Sequence, residues 1–496
     1  MFRQITTTAT SSNVHPRLDS GAFGATLSPL LSLMVALSVL TTAQEVDGAE
    51  PTIVADAAED HNPFDFIGEV FYRRHLRRAK ITREYNCNPS LVPEDLETCP
   101  DASPQGKLTN VKELRYARYT HEIVPRARFG LYKDLELWIE MPIVVEDTQE
   151  VRFAGNGGDA TKVPVTSEIS SISPEANGQS FQQLFQVPSN GGFMDLPRRA
   201  GFGDMLFKIR YAPISSERDD TRGDWVLELG YRAPTGSEMR PRPESTGGVG
   251  RGVHELVLAT AFSIRRGFIE PYARFEANLP LGSTLKSPFK EYWGSQEHIL
   301  PGARGRFDIG AEIIPYENKR KNVKFFIDLG LGAGYQAEGR DYSELFDALA
   351  LGAVSCNPNL SSRDGRDNCA EYNPNARLNN NGIGQAPGTF DGITTVEEYA
   401  VVRGHIGFGL YSSEYFKIGA DFSLAHETEH NISNAEIGDD IYNQGDERGV
   451  FVPATTNQQR SEHNPTFVSA IDSIGRRLRV EETTVFSISA YMGLMF

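Results

Sequence analysis

The sequence predicts an all-β protein, a transmembrane antiparallel up-and-down β-barrel of about twelve strands with short periplasmic turns and long extracellular loops. Three observations predict it. Apolar and charged residues alternate with period two in segment after segment. The connections between those segments are alternately short and long. The last segment keeps its alternation up to the final residue, Phe496.

Composition is compatible with this class. The 496 residues carry 49 Lys+Arg against 66 Asp+Glu, a formal net charge of -17. An acidic excess of this size argues against a nucleic-acid partner, because no basic stripe is present to neutralise phosphates. A mean hydropathy of -0.37 excludes a chain dominated by membrane helices. It suits a barrel, in which only alternate strand residues face lipid.

The amino terminus reads as an export signal. Arg3 and Arg17 are basic, no acid precedes Asp19, and an apolar run extends from Leu27 to Leu40. That run is shorter than the roughly 20 residues of a spanning helix. Thr41 and Ala43 have the small-residue spacing of a cleavage site, so residues 1–43 are expected to be a signal peptide, with a second candidate cut near Gly48. The competing reading is an uncleaved anchor. The acidic stretch that follows, residues 44–65, is expected to be a flexible periplasmic segment, and residues 66–496 the barrel. The four cysteines form two close pairs, Cys87 with Cys99 and Cys356 with Cys369. Neither has a zinc-type CxxC spacing; in an exported chain they read as two short-loop disulfides, free thiols being the alternative.

The first strand is expected near Phe66–Tyr85, although Arg73-Arg74 and Arg77-Arg78 fit a barrel wall poorly and suggest a later start. The second runs through Ile123, Pro125, Ala127, Phe129 and Leu131 on one face, with Arg126 and Arg128 on the other. Tyr132-Lys133-Asp134 turns it into the third. There Leu135, Leu137, Ile139, Met141, Ile143 and Val145 oppose Glu136, Trp138, Glu140 and Glu146. The same pattern recurs around Phe207–Tyr211, Trp225–Tyr231, Leu256–Ile264, Ile269–Leu279, Phe307–Ile313, Val323–Leu331, Val402–Leu410 and Phe416–Leu424, and closes near Arg477–Phe496.

Short links lie at Pro213–Gly223, Arg265–Gly267, Tyr316–Asn322 and Tyr411–Tyr415. Long ones lie at Asp147–Ala200, Thr235–Gly252, Pro280–Pro301, Ala337–Val396 and Glu427–Gly475. With both termini periplasmic, every short link falls inside and every long one outside. Aromatics flank the short links, Phe129, Tyr132, Tyr211, Trp225, Phe268, Tyr316, Tyr411, Tyr415 and Phe416, as expected of an interfacial girdle. The terminal strand, with Phe486, Ile488, Ala490, Met492, Leu494 and Phe496 on one face, is expected to engage the barrel-assembly machinery through Phe496. A soluble sandwich would use the same alternation in reverse. Strand lengths of about ten residues, loop asymmetry and the export signal favour the barrel, which leaves no sheet edge unpaired.

Several local motifs occur in a recognisable order. They are Arg128-Phe129-Gly130-Leu131-Tyr132-Lys133-Asp134-Leu135-Glu136-Leu137 followed by Met141-Pro142, then Gly201-Phe202-Gly203-Asp204, Pro234-Thr235-Gly236-Ser237, Gly250-Arg251-Gly252, Phe262-Ser263-Ile264-Arg265-Arg266 and Pro271-Tyr272-Ala273. Together they resemble the outer-membrane transporter-like family named for a putative MetA pathway of phenol degradation, over roughly Leu114 to Phe496. The resemblance implies an outer-membrane channel for a small, aromatic or otherwise hydrophobic solute. The long loops at Asp147–Ala200, Ala337–Val396 and Glu427–Gly475 depart from the family pattern.

Candidate chemistry is sparse, and no cofactor is expected. His426-Glu427-Thr428-Glu429-His430 matches HExxH, but zinc proteases need that motif on a helix. On a strand, period two aligns His426 with His430 as a weak metal pair and turns Glu427 away. His405 is expected to face inward without a partner serine, and Gly201–Asp204 is too short for a dinucleotide fingerprint. Asp364–Asp367 and Asp439–Asp440 read as solvated loop acids rather than cation sites. The lumen carries the functional expectation. Arg126, Arg128, Lys208, Arg210, Arg274, Arg304 and Arg306 face Glu136, Glu140, Glu228, Glu270, Glu276, Asp308, Glu312 and Asp328. Mixed charges of this kind either line a narrow pore for a small solute or knit a salt-bridge lattice that plugs the barrel. The pore is the expected reading, with no covalent chemistry; a plugged structural or adhesive barrel and an outer-membrane hydrolase are the alternatives.

Overall fold

The computed structural model describes residues 49–55, 57, 65–87, 107–153, 196, 198–216, 218–219, 221–239, 248–281, 299–351, 392–412, 415–436, 450–451, 462–463, 469–472 and 474–496. The expected signal peptide, Asp364–Asp367, Asp439–Asp440, Cys99, Cys356 and Cys369 lie outside them, and with the cysteines the expected disulfides.

The first stave of the barrel is β1 (Phe66–Cys87) and the second β2 (Lys107–Tyr132). The third comprises β3 (Leu135–Glu140) and β4 (Ile143–Phe153), and the fourth β5 (Arg199–Phe202) and β6 (Met205–Ile214). β7 (Asp224–Ala233), β8 (His254–Ser263), β9 (Ile269–Leu281), β10 (Arg304–Asn318) and β11 (Val323–Gln336) follow. Above the barrel, β12 (Gly339–Asp341) pairs with β13 (Thr394–Val396), with the short helix α1 (Phe346–Leu351) between them in sequence. The ring resumes with β14 (Tyr399–Ser412) and β15 (Phe416–Glu427), which β16 (His430–Asn431) continues. A small pair, β17 (Val450–Phe451) and β18 (Glu462–His463), and the turn-like α2 (Ser469–Asp472) precede the last stave, β19 (Leu478–Met495).

Every neighbouring pair in the ring is antiparallel. The ring closes because β1 pairs with β2 on one side and with β19 on the other. The fifteen sheet segments form twelve staves, since β3/β4, β5/β6 and β15/β16 each continue one another. The protein is therefore a closed, all-β, twelve-stranded antiparallel barrel, as the alternation predicts. At the seam Phe66 N–H donates to the Phe496 carbonyl at 2.8 Å and Phe496 N–H returns the bond at 2.9 Å.

The break between β3 and β4 has a sequence cause. Pro142 has no N–H to give the ladder, and across from it Gly203 donates to the Pro142 carbonyl at 2.8 Å. A Cβ on Gly203 would stand 2.9 Å from the proline ring, so the facing interruption between β5 and β6 needs glycine there. Tight turns use left-handed residues: Lys133 at φ 45, Gly267 at φ 64, and Asn322 at φ 47 closing the 3-10 turn Lys319–Lys321.

Most outward side chains along the staves are apolar, and many are exposed, among them Val70, Ile209, Leu229, Phe275, Leu331 and Met492. Many inward ones, among them Glu69, Arg128, Glu136, Arg210 and Glu228, are charged and buried. This is inside-out relative to a soluble sandwich and matches a lipid-facing belt.

Several sequence expectations need correction. β1 starts at Phe66 despite its arginine doublets, because the pleat sends Arg73 and Arg77 inward and leaves Arg74 and Arg78 on the outer face. The long link expected at Asp147–Ala200 is shorter than that, since β4 continues to Phe153 and the next stave starts at Arg199. Glu146 turns outward, not inward, because the β2–β4 register slips by one between His121 and Glu122. Tyr411, assigned to the girdle, is buried and faces the lumen, whereas Tyr132, Tyr211, Phe268 and Tyr316 are exposed as expected.

Candidate functional site

The lumen has a floor built by the chain itself. Residues 49–55 and 57, expected to be flexible, are instead seated inside the turn end of the barrel, with Ala49, Ile53, Val54, Ala55 and Ala57 buried. Ile53 and Ala55 pack with Ile67, Ile314, Phe326, Tyr411 and Met495, and Val54 packs with Ala212 and Val226. Apolar burial thus anchors the segment on two sides.

Its backbone polar groups are satisfied by charged side chains of the wall. Arg128 donates to the Ile53 carbonyl at 2.5 Å. Arg210 donates to the same carbonyl at 2.7 Å and to that of Pro51 at 2.8 Å. Ala55 N–H donates to Glu136 at 2.5 Å and Glu50 N–H to Glu312 at 2.6 Å. The Thr52 and Ser263 hydroxyls lie 2.9 Å apart, and Ala57 forms a two-bond bridge with Lys133. The Glu50 carboxylate accepts from Tyr411 at 2.5 Å and from Lys417 at 3.2 Å. Burial pushes the Glu50 carboxyl up, but Lys417, with help from the Tyr411 hydroxyl and Arg128, more than offsets this and holds it below the ordinary carboxylate range.

All fifteen charged residues expected in the lumen lie on staves and face inward, and the structure joins seven of them, Arg128, Glu136, Lys208, Arg210, Glu228, Arg274 and Glu276, into one ionic network. Glu136, on β3, takes Arg128 at 2.8 Å and Arg210 at 3.2 Å. Glu228, on β7, takes Arg210 at 3.0 Å, Lys208 at 3.4 Å and both arms of Arg274 at 2.6 and 2.8 Å. Arg274 also reaches Glu276 at 2.9 Å, and Arg126 reaches Glu140 at 3.1 Å. Glu270 sits near the floor, accepting from Ser263 at 2.8 Å, and Glu312 pairs with Lys324 at 3.5 Å. Nearer the loops, Arg304 pairs with Glu255, Arg306 and Arg403 with Asp308, and His405 with Asp328 at 3.0 Å.

Exposure of the basic side chains rises along the axis, while the loop-side acids Glu255 and Asp308 stay dry at 2% and 5%. At the floor the side chains of Glu136 and Arg128 are 0% and 2% exposed. Toward the loops Arg403 is 25%, Arg304 37% and Arg306 43% exposed. A lattice filling the whole lumen would leave these arginines as dry as Arg128.

Sequence reasoning placed Trp138 on the inner face but gave it no role. Its ring is the hub of the basic wall, with the Arg126, Lys208, Arg210 and Arg128 cations 4.3, 5.0, 5.0 and 5.1 Å from ring centroids. Glu50, Glu69, Lys324 and Lys417 were also missed as site residues. Lys417 joins Glu50 to Glu69, which it meets at 2.5 Å. Inward parity was the available signal for Lys324 and Lys417; nothing in the sequence marked Glu50.

The HExxH pair does not converge. His426 is exposed on the outer face, while His430 is buried, its Nδ1 donating to the Thr428 carbonyl at 2.8 Å and its ring stacked on Tyr399. Thr428 and Glu429 leave the strand, and the facing stave carries Glu482 at φ 50, so the alternation flips between the two histidines. Glu427 is taken up by Arg77 at 2.7 Å. Among the described residues no group of three or more metal-ligating side chains converges.

His405 faces inward as expected, against Asp328 and the Tyr272 hydroxyl at 3.0 Å. A different histidine has a serine partner: His75 Nδ1 lies 2.7 Å from Ser487 Oγ, and its Nε2 lies 3.5 Å from Glu122. All three sit on paired strands whose amides serve the ladder, so the ladder offers no free N–H for an oxyanion.

No family model matches the sequence, and no curated protein matches it. Solved structures with similar chain paths include an outer-membrane channel from Pseudomonas putida F1, at 9% identity and TM-score 0.39, covering 91% of this chain and 100% of that one. A FadL homologue from Pseudomonas aeruginosa matches at 8% identity and TM-score 0.30, covering 88% and 91%. The outer-membrane protease OmpT of Escherichia coli matches at 8% identity and TM-score 0.27, covering 87% and 97%.

Proposed function

We propose that this chain is a channel of the bacterial outer membrane whose lumen is closed at the turn end by residues 49–55 and 57, and that it passes a small solute when that segment leaves its seat. The location is supported by the apolar outer belt and the closed ladder. The carrying observation is the rising exposure of the lumen arginines, from 2% at Arg128 to 43% at Arg306. A mixed-charge vestibule with partly exposed arginines ends on a short peptide. That peptide is held by hydrogen bonds, the Glu50–Lys417 ion pair and two small apolar clusters, a seat of finite strength.

The solute is proposed to be small and aromatic, on the motif resemblance alone. The lipid of the membrane and the barrel-assembly machinery, engaged through the strand ending at Phe496, complete the proposed partners. The second reading is a permanently plugged structural barrel, favoured by the dryness of the floor.

Planar-bilayer recordings separate the two. The full chain is expected to show rare, small current steps, and a variant lacking residues 49–57 frequent and larger ones that benzoate or phenol blocks. A deletion variant that is heat-modifiable on a gel yet electrically silent overturns the channel.

A further inference from the structure

The arginine doublets of β1 are only half used by the lumen. Arg73 meets Glu122 at 3.4 Å and Arg77 meets Glu427 at 2.7 Å, both inside. Arg74 and Arg78 are exposed on the outer surface. In the β1–β2 register Arg78 stands opposite Ala117, Lys80 opposite Arg115 and Thr82 opposite Lys112. Arg115 is exposed as well. One wall therefore presents Arg74, Arg78, Lys80, Lys112 and Arg115 away from the lumen.

The acids nearby are already engaged. Glu482 pairs with Lys80, Glu146 with Arg198, and Glu150 with Arg152 at 2.7 Å. Glu481 turns to Thr82 at 3.1 Å. Among the described residues Arg74, Arg78 and Arg115 make no ion pair. On a chain of net charge -17 this is a local reversal of sign.

Its height is informative. A strand rising about 3.4 Å per residue and tilted about 40° climbs about 2.6 Å per residue. Counted from Phe66 at the seam, Arg74 stands about 21 Å up and Arg78 about 31 Å, bracketing the top of an apolar band about 25 Å tall. Directly below the cations the same wall is apolar and exposed, with Val70, Tyr72 and Ile123. Cations above an apolar strip have the shape of a lipid: headgroup, then acyl chains.

We propose that this wall docks a phosphate-bearing anionic lipid of the outer leaflet. Its phosphates lie on Arg74, Arg78 and Arg115, and its acyl chains along Val70, Tyr72 and Ile123. Guanidinium groups bind phosphate bidentately, and basic clusters beside a membrane surface concentrate anionic headgroups. The proposal rests on the outer-membrane reading above.

The test uses the refolded full-length chain in nonionic detergent and purified lipid A as the probe. Lipid A is expected to raise the heat-modifiability midpoint by several degrees and to stay with the barrel through size exclusion; phosphatidylcholine and inorganic phosphate are expected to do neither. Arg74→Gln/Arg78→Gln/Arg115→Gln is expected to cut retained lipid phosphorus at least fivefold. Equal retention by parent and variant overturns the proposal, and so does an equal shift from inorganic phosphate, which would make the wall a free-anion site. If the triple variant fails to fold, Arg78→Gln/Arg115→Gln, which changes only the upper positions, gives the same comparison. A parent that inserts into bilayers but retains no lipid A overturns the docking alone; one that does not insert overturns the outer-membrane reading too.

Discussion

Arg128 and Arg210 donate to one acceptor, the carbonyl oxygen of Ile53, at 2.5 and 2.7 Å. They come from β2 and β6, and both are also held by Glu136 on the stave between. One carboxylate therefore positions two guanidinium groups on a single carbonyl, and a third contact, from Ala55 N–H, returns to that same carboxylate. The floor is a closed circuit between wall and segment.

Glu136→Gln breaks this circuit at its centre. Removing one partner from a buried pair leaves charge uncompensated, typically at a cost of about 3–5 kcal/mol. The expected outcome is a lower heat-modifiability midpoint together with more frequent channel openings, read on the same preparation.

Ile53→Ala tests the apolar half of the seat. Ile53 is 5% exposed among Ile67, Ile314, Phe326 and Met495. Truncating a buried isoleucine costs about 2–5 kcal/mol, so the open fraction in bilayer recordings should rise at least tenfold while the midpoint of barrel unfolding changes little.

Acid should loosen the floor through Glu50. Its carboxyl is held below the ordinary value by Lys417 and Tyr411, against the effect of burial. A depressed folded value means that the stabilisation is present above the unfolded value and is lost as pH falls through the folded one. Opening frequency should therefore climb as pH drops below the ordinary carboxylate range. Because other acids titrate in that range, the readout is the difference between the parent and Glu50→Gln, in which this part of the pH dependence disappears.

Glycines of the wall make room for lumen side chains. A Cβ on Gly409 would fall 2.1 Å from the Phe326 ring and one on Gly330 2.2 Å from His405, whereas one on Gly305 meets nothing within 4 Å. Gly409→Val should abolish the heat-modifiable form on a gel, and Gly305→Ala should leave it unchanged.

The Ser487–His75–Glu122 set should be chemically inert. Its strands offer no free amide to an oxyanion. Incubation of the refolded protein with a fluorophosphonate, followed by peptide mass mapping, is expected to leave Ser487 unmodified; stoichiometric labelling there would move the chain to the hydrolases.

Alternation alone made most of the fold legible. Residues such as Leu135, Leu137 and Ile139 on one side and Glu136 and Glu140 on the other carry a period of two, and that period fixes both the wall and the inward set of charges. Parity failed where the register slips. Glu146 and the His426–His430 pair were misplaced because one extra residue, or one left-handed residue such as Glu482, reverses every facing beyond it. The floor was illegible for a different reason. Pro51, Thr52, Ile53 and Val54 have no periodic partner in sequence, and their place is set by Arg128, Arg210, Glu136 and Glu312, residues 75 to 262 positions away. Charge in the lumen could be listed from the sequence, but not what it was for.

The staves are unequal: β1 and β2 run for 22 and 26 residues, β7 and β8 for 10. The mouth of the barrel is therefore cut obliquely, with a tall side and a low side. A molecule shaped this way has a bearing within the membrane plane. Rotating it about its own axis changes which neighbours meet the high flank and from which quarter a solute drifts over the low lip, so orientation among surrounding molecules becomes a variable that a level rim would not possess.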